Sequence, residues 1–427
     1  MKRHRITTIA AMLLAVHLTK PPPAAADERG TENAMPTAGP RSVPSQLKDD
    51  QKVLDKSAPL IPTGRLRRFL QPYYDFKENM SDIVGLTYGG DYNIAFQEAL
   101  ARSIAEPAAG GVVRFYGHWQ FVGRDNDNDG GLIYKVENRH RIGTDFAPQA
   151  LGPELGYAGL TATTFSDVSW VLSNFYWVQK LWQERIVFVL GFVDTTDYVD
   201  LYTLANPWTD FLNFDFANNP TIAAPNQGLG AAFRINPIEH FYLLLGFADA
   251  NGDPERPLDN FGTFFRDAEY FAHLELGWIE SPDRAFSDHV HATLWYVDER
   301  AEAGVPSGWG AAVSASRTFA QRWLPFARVG ASNGGGGRFL QYVVAAGTGI
   351  YFRQKADVLG LGLNWGRPSA KTYGSQLRDQ YTIEIYYRAQ VFRHLAVTPD
   401  LQVLVRPADN PEVSAIAVIG ARARLIF

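Results

Sequence analysis

The chain has 427 residues, with 40 Lys and Arg against 45 Asp and Glu, no cysteine, 13% aromatic residues and a mean hydropathy of -0.17. Without cysteine there is neither a disulfide framework nor a thiolate metal site. A mildly acidic balance with no long basic run argues against nucleic acid as a partner.

Lys2, Arg3 and Arg5 precede an apolar stretch from Ile6 to Leu18 and the small residues Ala24, Ala25 and Ala26. That order predicts a secretory signal over residues 1–26 with cleavage after Ala26. The apolar part is too short to span a bilayer and ends in Lys20 and three prolines. Its removal takes Lys2, Arg3, Arg5 and Lys20 and no acid, so the formal charge moves from -5 to -9.

Residues 27–82 are rich in Pro, Ser, Gly and charge, with no sustained apolar period. Such a stretch cannot bury a core, which predicts a mobile periplasmic lead-in, with a short helix around Gln46–Lys56 as the local alternative. From Ile83 onward, apolar and polar residues alternate in runs separated by turn residues. The expected strands are 84–97, 111–123, 131–145, 168–180, 183–194, 228–235, 240–249, 268–279, 288–298, 308–319, 323–332, 341–352, 356–366, 379–391, 395–406 and 414–427. An even number near sixteen fits a transmembrane antiparallel β-barrel, an all-β domain over residues 83–427 with both ends in the periplasm.

Two features support that reading. In 380–391 one face carries Tyr381, Ile383, Ile385, Tyr387, Ala389 and Val391, and the other carries Gln380, Thr382, Glu384, Tyr386, Arg388 and Gln390. Side chains alternate across a strand, so one face suits lipid and the other water. The connections also alternate between short turns and longer loops, as expected of periplasmic and outer ends. The longest, 195–227, contains Pro207, Pro220 and Pro225 and is expected either to fold into the lumen or to lie over its mouth.

At RDQYTIEIYYRAQVFRHLAVTPDLQVLVRPADNP (378–411) and VIGARARLIF (418–427) the chain resembles the carbohydrate-selective porins of the OprB type. A second patch, ENRHRIGTDFAPQALGPELGYAGLTATTFSD (137–167), resembles the family's third strand and following loop, and GLGLNWGRPS (360–369) is a weaker likeness. The resemblance implies a sixteen-stranded barrel in the bacterial outer membrane, passing glucose-like sugars through a narrowed, partly arginine-lined waist, without a cofactor. Either a monomer or a homotrimer fits. The long polar lead-in and the short loop 333–340 depart from the family's pattern.

Sugar hydroxyls donate and accept, so a selective waist needs arginines, carboxylates and aromatic faces. The alternation predicts Arg114, Glu137, Arg139, Arg141, Glu384, Arg388, Asp400, Arg422 and Arg424 on the lumen face. Their alternative role is to solvate the channel and brace its wall. Arg139 and Arg141 are expected to carry sugar selectivity. Phe427 falls on the oily face with Ile419, Ala421, Ala423 and Leu425, and an aromatic last residue resembles the assembly signal of outer-membrane barrels. Asp125, Asp127 and Asp129 stand at calcium-loop spacing, but Val136 occupies the position of the bidentate Glu, so a solvated turn is expected. His289 and His291 share a strand face without a third ligand nearby, which predicts solvated lumen histidines and not a metal site. No catalytic motif occurs. The rival functions are a general or anion-preferring porin and a barrel-based outer-membrane enzyme.

Overall fold

The computed structural model describes residues 39–56, 59–61, 64–100, 105–124 and 128–427. Sixteen antiparallel strands close into one barrel. In chain order these are β1 (Leu86–Ala99), β2 (Ala108–Val122), β3 (Gly130–Arg141), β4 (Ser169–Leu181), β5 (Ile186–Val193), β6 (Gly228–Ile238), β7 (Phe241–Asp249) and β8 (Tyr270–Ile279). They continue as β9 (His289–Val297), β10 (Gly308–Ser316), β11 (Trp323–Ser332), β12 (Leu340–Phe352), β13 (Asp357–Pro368), β14 (Gln380–Gln390), β15 (Leu395–Val405) and β16 (Ala415–Ile426). Each strand pairs with its neighbours in sequence, and β16 closes on β1 with Asn93 opposite Arg424. All sixteen expected segments form strands, with ends displaced by a few residues.

The facing follows the alternation. Along β14, Tyr381, Ile385 and Tyr387 are exposed, whereas Gln380, Thr382, Glu384 and Tyr386 are buried. The same holds around the wall, where Leu190, Leu245, Leu276, Leu294, Trp309, Val329, Leu363 and Ile419 point outward. So many large apolar side chains in a continuous exposed band belong against lipid. Phe427 joins that band, 6.2 Å from the ring of Phe115, and its N–H bonds the carbonyl of Gly90 at 3.0 Å.

The wet face is a packed polar core, which departs from the expectation of a solvated wall. Thr382, expected to face water, bonds the hydroxyl of Tyr157 at 2.8 Å and the carboxylate of Asp215 at 3.2 Å. The material that fills the lumen comes from the connections. Residues 194–227, between β5 and β6, fold inward and bury Tyr202, Leu204, Phe211 and Phe216 against Phe326, Ala345 and Tyr386 of the far wall. Of the two expected courses for this loop, it takes the inward one. Glycines make room for it: a Cβ at Gly362 would stand 2.7 Å from the Phe216 ring, and one at Gly349 would stand 3.0 Å from Leu204.

Three helices matter for function: α1 (Val43–Lys56), α2 (Gly64–Asn79) and α3 (Pro148–Glu154). In α1, Pro44 occupies the first turn, where its missing N–H costs nothing. Spacing puts Val43, Gln46, Leu47 and Asp50 on one side, with Lys48, Asp49 and Lys52 opposite. The first side packs inside the barrel, Val43 against Tyr116 and Ile133 with Leu47 alongside. The short helix expected as the alternative for this stretch is present as α1, and it lies inside the barrel. Its own apolar content is too small for a core, but the barrel wall provides one. Leu151 of α3 and Leu155 just after it cover Leu404, Ile416 and Val418 at the outer mouth.

Candidate functional site

Between α1, the inward loop and the β14–β16 wall lies a cavity of about 470 Å³. That volume falls within the range of small-molecule sites. It is placed toward the rim that carries the short turns, since Arg353, Gln354 and Lys355 of the β12–β13 turn line it. By the rule that short turns are periplasmic, this is the periplasmic half of the lumen.

One side of the cavity is a charge quartet. Asp91 on β1 accepts from Arg114 Nε of β2 and from Arg424 Nε of β16, each at 2.7 Å. Arg424 also donates Nη2 to Asp50 Oδ1 of α1 at 2.8 Å, and the Tyr116 hydroxyl donates to the other oxygen of Asp50. Burial pushes the Asp50 carboxyl up from its ordinary value, while Arg424 pulls it down. Two cations and two carboxylates balance, as a dry site requires. The Arg114 guanidinium lies 3.9 Å from the ring centre of Trp208, on the inward loop.

The other side is anchored on Asp210 of the same loop. Arg388 Nη1 reaches Asp210 Oδ1 at 3.5 Å, the Tyr386 hydroxyl donates to that oxygen at 3.1 Å, and Arg422 donates to the Asp210 carbonyl at 3.0 Å. Glu384 accepts from the backbone N–H groups of Leu212 and Asn213 at 2.7 and 3.1 Å. Gln402 Nε2 donates to Asp400 Oδ1 at 3.0 Å. The contacts of Asp210, Leu212 and Asn213 fix the loop across the lumen.

The residues singled out by alternation therefore divide. Arg388 and Arg424 line the cavity. Arg114, Glu384, Asp400 and Arg422 are buried and hold the wall or the loop. Arg139 donates Nε to Glu137 Oε2 at 2.8 Å, with Glu137 buried, and neither lines the cavity. Arg141 is half exposed at the outer end of β3 and pairs with Asp167 at 3.1 Å.

Asp49, Asp50, Trp208, Asp210 and Tyr351 also line the cavity, and sequence reasoning missed all five. Asp91 was findable, because the alternation of β1 puts it on the wet face with Asn93 and Gln97, all buried.

His289 and His291 stack at 4.9 Å, and His291 Nε2 lies 2.9 Å from Asp200 Oδ1 of the inward loop. They are buried in the filled lumen, not solvated. Among the described residues no cluster of three or more His, Asp and Glu stands ready for a metal ion. Asp125 and Asp127 lie outside the described residues, as do residues 1–26, while Asp129 pairs with Lys180 at 3.9 Å.

Residues 283–427 match the family model described as carbohydrate-selective porin, OprB family. Over 218 residues, half of this chain, the sequence is 27% identical to an uncharacterized protein of Aquifex aeolicus, covering 58% of it. Over 217 residues it is 20% identical to Porin AaxA of Chlamydia abortus, covering 48% of that protein. The chain thus spans about half the length of the curated relatives it matches. The fold superposes on Pseudomonas putida OprB with a TM-score of 0.64 at 14% identity, over 83% of this chain and 97% of that one. A substituted variant of the Rh. blastica porin gives 0.51 at 13% identity, over 80% of this chain and all of the other. Over β9 to β16 the sequence thus matches the carbohydrate-selective porin model, and the barrel as a whole shares its fold with Pseudomonas putida OprB.

Proposed function

We propose that the chain is an outer-membrane porin for passive, sugar-selective diffusion of glucose-like mono- and small oligosaccharides. The observation that carries this reading is the lining of the cavity. Arg388 and Arg424 offer donors, Asp49, Asp50 and Asp210 offer acceptors, and Trp208 and Tyr351 offer ring faces to the C–H side of a sugar. Each contact replaces one water hydrogen bond, so binding is weak and passage fast. Nothing in this chemistry calls for a cofactor or a catalytic step. Family and fold imply the outer membrane, and the amino-terminal sequence supplies the export signal.

A second reading has one observation in its favour. The lining carries five cations, Lys52, Arg353, Lys355, Arg388 and Arg424, against three carboxylates, which suits anions. Swelling of reconstituted vesicles in a panel of sugars of increasing size tests the first reading. Glucose should enter faster than an uncharged non-sugar solute of equal size. Equal rates, together with a strongly anion-selective reversal potential in a salt gradient, would establish the second.

A further inference from the structure

Helix α2 presents three strips around its axis. One lies against the barrel rim: the Tyr74 hydroxyl meets His394 Nε2 at 3.0 Å with the rings stacked, and Lys77 Nζ sits over the rings of Tyr73 and Tyr88 at 5.4 and 5.2 Å. A second, with Gln71, Asp75 and Glu78, is exposed and polar. The third carries Phe69 and Phe76, and the helix runs on without a break into the turn Met80–Val84, which adds Ile83. These three are 80%, 55% and 74% exposed and stand seven residues apart, close to two helical turns, so they form a stripe. Among the described residues, nothing covers it.

What covers it follows from where the stripe leads. Val84, next to Ile83, gives its carbonyl to Trp119 Nε1 at 3.1 Å, and the exposed Trp119 packs on Phe121, which meets Trp177 on the lipid-facing wall. Arg124 holds the carbonyls of Ser81 and Ile83, each at 3.0 Å, and so fixes the turn against that wall. The apolar stripe and the lipid-facing surface are continuous.

The geometry points to α2 as an interfacial helix that seats Phe69, Phe76 and Ile83 in the periplasmic leaflet of the outer membrane, at the boundary of headgroups and acyl chains. A helix with barrel on one side, water on another and uncovered aromatics on the third meets the requirements of an in-plane amphipathic segment. The sequence GRLRRFLQPYYDFKEN, with four cations against two acids, suits anionic phospholipid. Such seating would hold the start of β1 and, through the chain between the helices, the position of α1 in the lumen.

The chain has no cysteine, so Phe76→Cys and Glu78→Cys each create a unique labelling site. The full chain bearing a nitroxide at one site is reconstituted at low density in phosphatidylethanolamine vesicles containing phosphatidylglycerol. The label at 76 should relax more with oxygen than with a water-soluble nickel chelate, and the label at 78 the reverse. Replacing phosphatidylglycerol by phosphatidylcholine should raise nickel access at 76 severalfold. Equal nickel access at both sites overturns the proposal. So does shielding at 76 that appears only as protein density rises, because a second copy would then be the partner. An unchanged response to the lipid swap overturns the anionic preference.

Discussion

Replacing Asp50 by Ala should release α1 from the lumen. Asp50 is the only carboxylate that α1 contributes to the charge quartet, and it is the acceptor of both Arg424 and Tyr116. Its loss leaves Arg114 and Arg424 facing Asp91 alone, one uncompensated cation in a dry site. Removing one member of a buried pair costs about 3–5 kcal/mol. Arg424 keeps Asp91 at 2.7 Å, which places this case near the low end, about 3 kcal/mol, or roughly a hundredfold in the docked population. The other anchors of the segment are the Gly39 N–H on the Asp197 carbonyl at 2.8 Å, Asn206 on the Pro40 carbonyl at 3.1 Å, Arg41 on the Ala217 carbonyl, Arg393 on the Leu54 carbonyl, and the packing of Val43 and Leu47. Undocking lets water reach Arg424 and relieves the charge, so the cost falls on α1 and not on the barrel. The assay is single-channel conductance in planar bilayers. The variant should spend most of its time at a conductance above the wild-type level and pass larger sugars in swelling assays, with barrel unfolding unchanged. Asp50→Asn, which keeps one of the two acceptors and loses the charge, should fall between. If Asp50→Ala conducts as wild type does while its barrel unfolds more easily, the quartet braces the wall and α1 does not set the aperture.

Arg388→Ala should lower glucose flux relative to a size-matched non-sugar solute and raise cation preference, whereas Arg139→Ala with Arg141→Ala should leave the flux ratio unchanged; the opposite pattern would return the selectivity to β3. Gly362→Val drives a side chain into the Phe216 ring, an overpacking cost of about 1–3 kcal/mol that should shift the inward loop and enlarge the exclusion limit. Ile385→Arg places a cation on the lipid face near mid-strand and should cost about 2–4 kcal/mol in a membrane folding assay, and a neutral result would contradict the facing. Burial pushes Asp197 and Asp215 of the loop up to about 6, so the folded loop holds protons that an unfolded one releases near 3.8. Their contribution to loop docking is fully present below about pH 4 and is lost as pH rises through about 6, so current noise should be greater at pH 7.5 than at pH 5, and flat noise would speak against it.

The strands were legible because lipid and lumen impose opposite chemistry on adjacent residues. Tyr381, Ile383 and Ile385 against Thr382, Glu384 and Tyr386 can be read without any knowledge of what lies inside. What the lumen contains was not legible by the same rule. The wet face of β14 reads alike whether Glu384 meets water or the N–H groups of Leu212 and Asn213. The polar segment that becomes α1 has no apolar period of its own, and only its partner wall makes Val43 and Leu47 a core. Asp210 and Trp208 lie in a proline-rich loop where neither helical nor strand period applies. Their importance comes from contacts with Arg388, Arg422 and Arg114, more than a hundred residues away or nearly so.

The most direct test of the central claim is the ion current through single wild-type channels as glucose is added on the periplasmic side. If sugars pass through the cavity between α1 and the inward loop, glucose should reduce the current saturably, and Trp208→Ala, which removes a stacking face from that cavity, should shift the half-blocking concentration upward severalfold. A current that falls only in proportion to solution viscosity, identically in both proteins, would contradict a sugar path through this site.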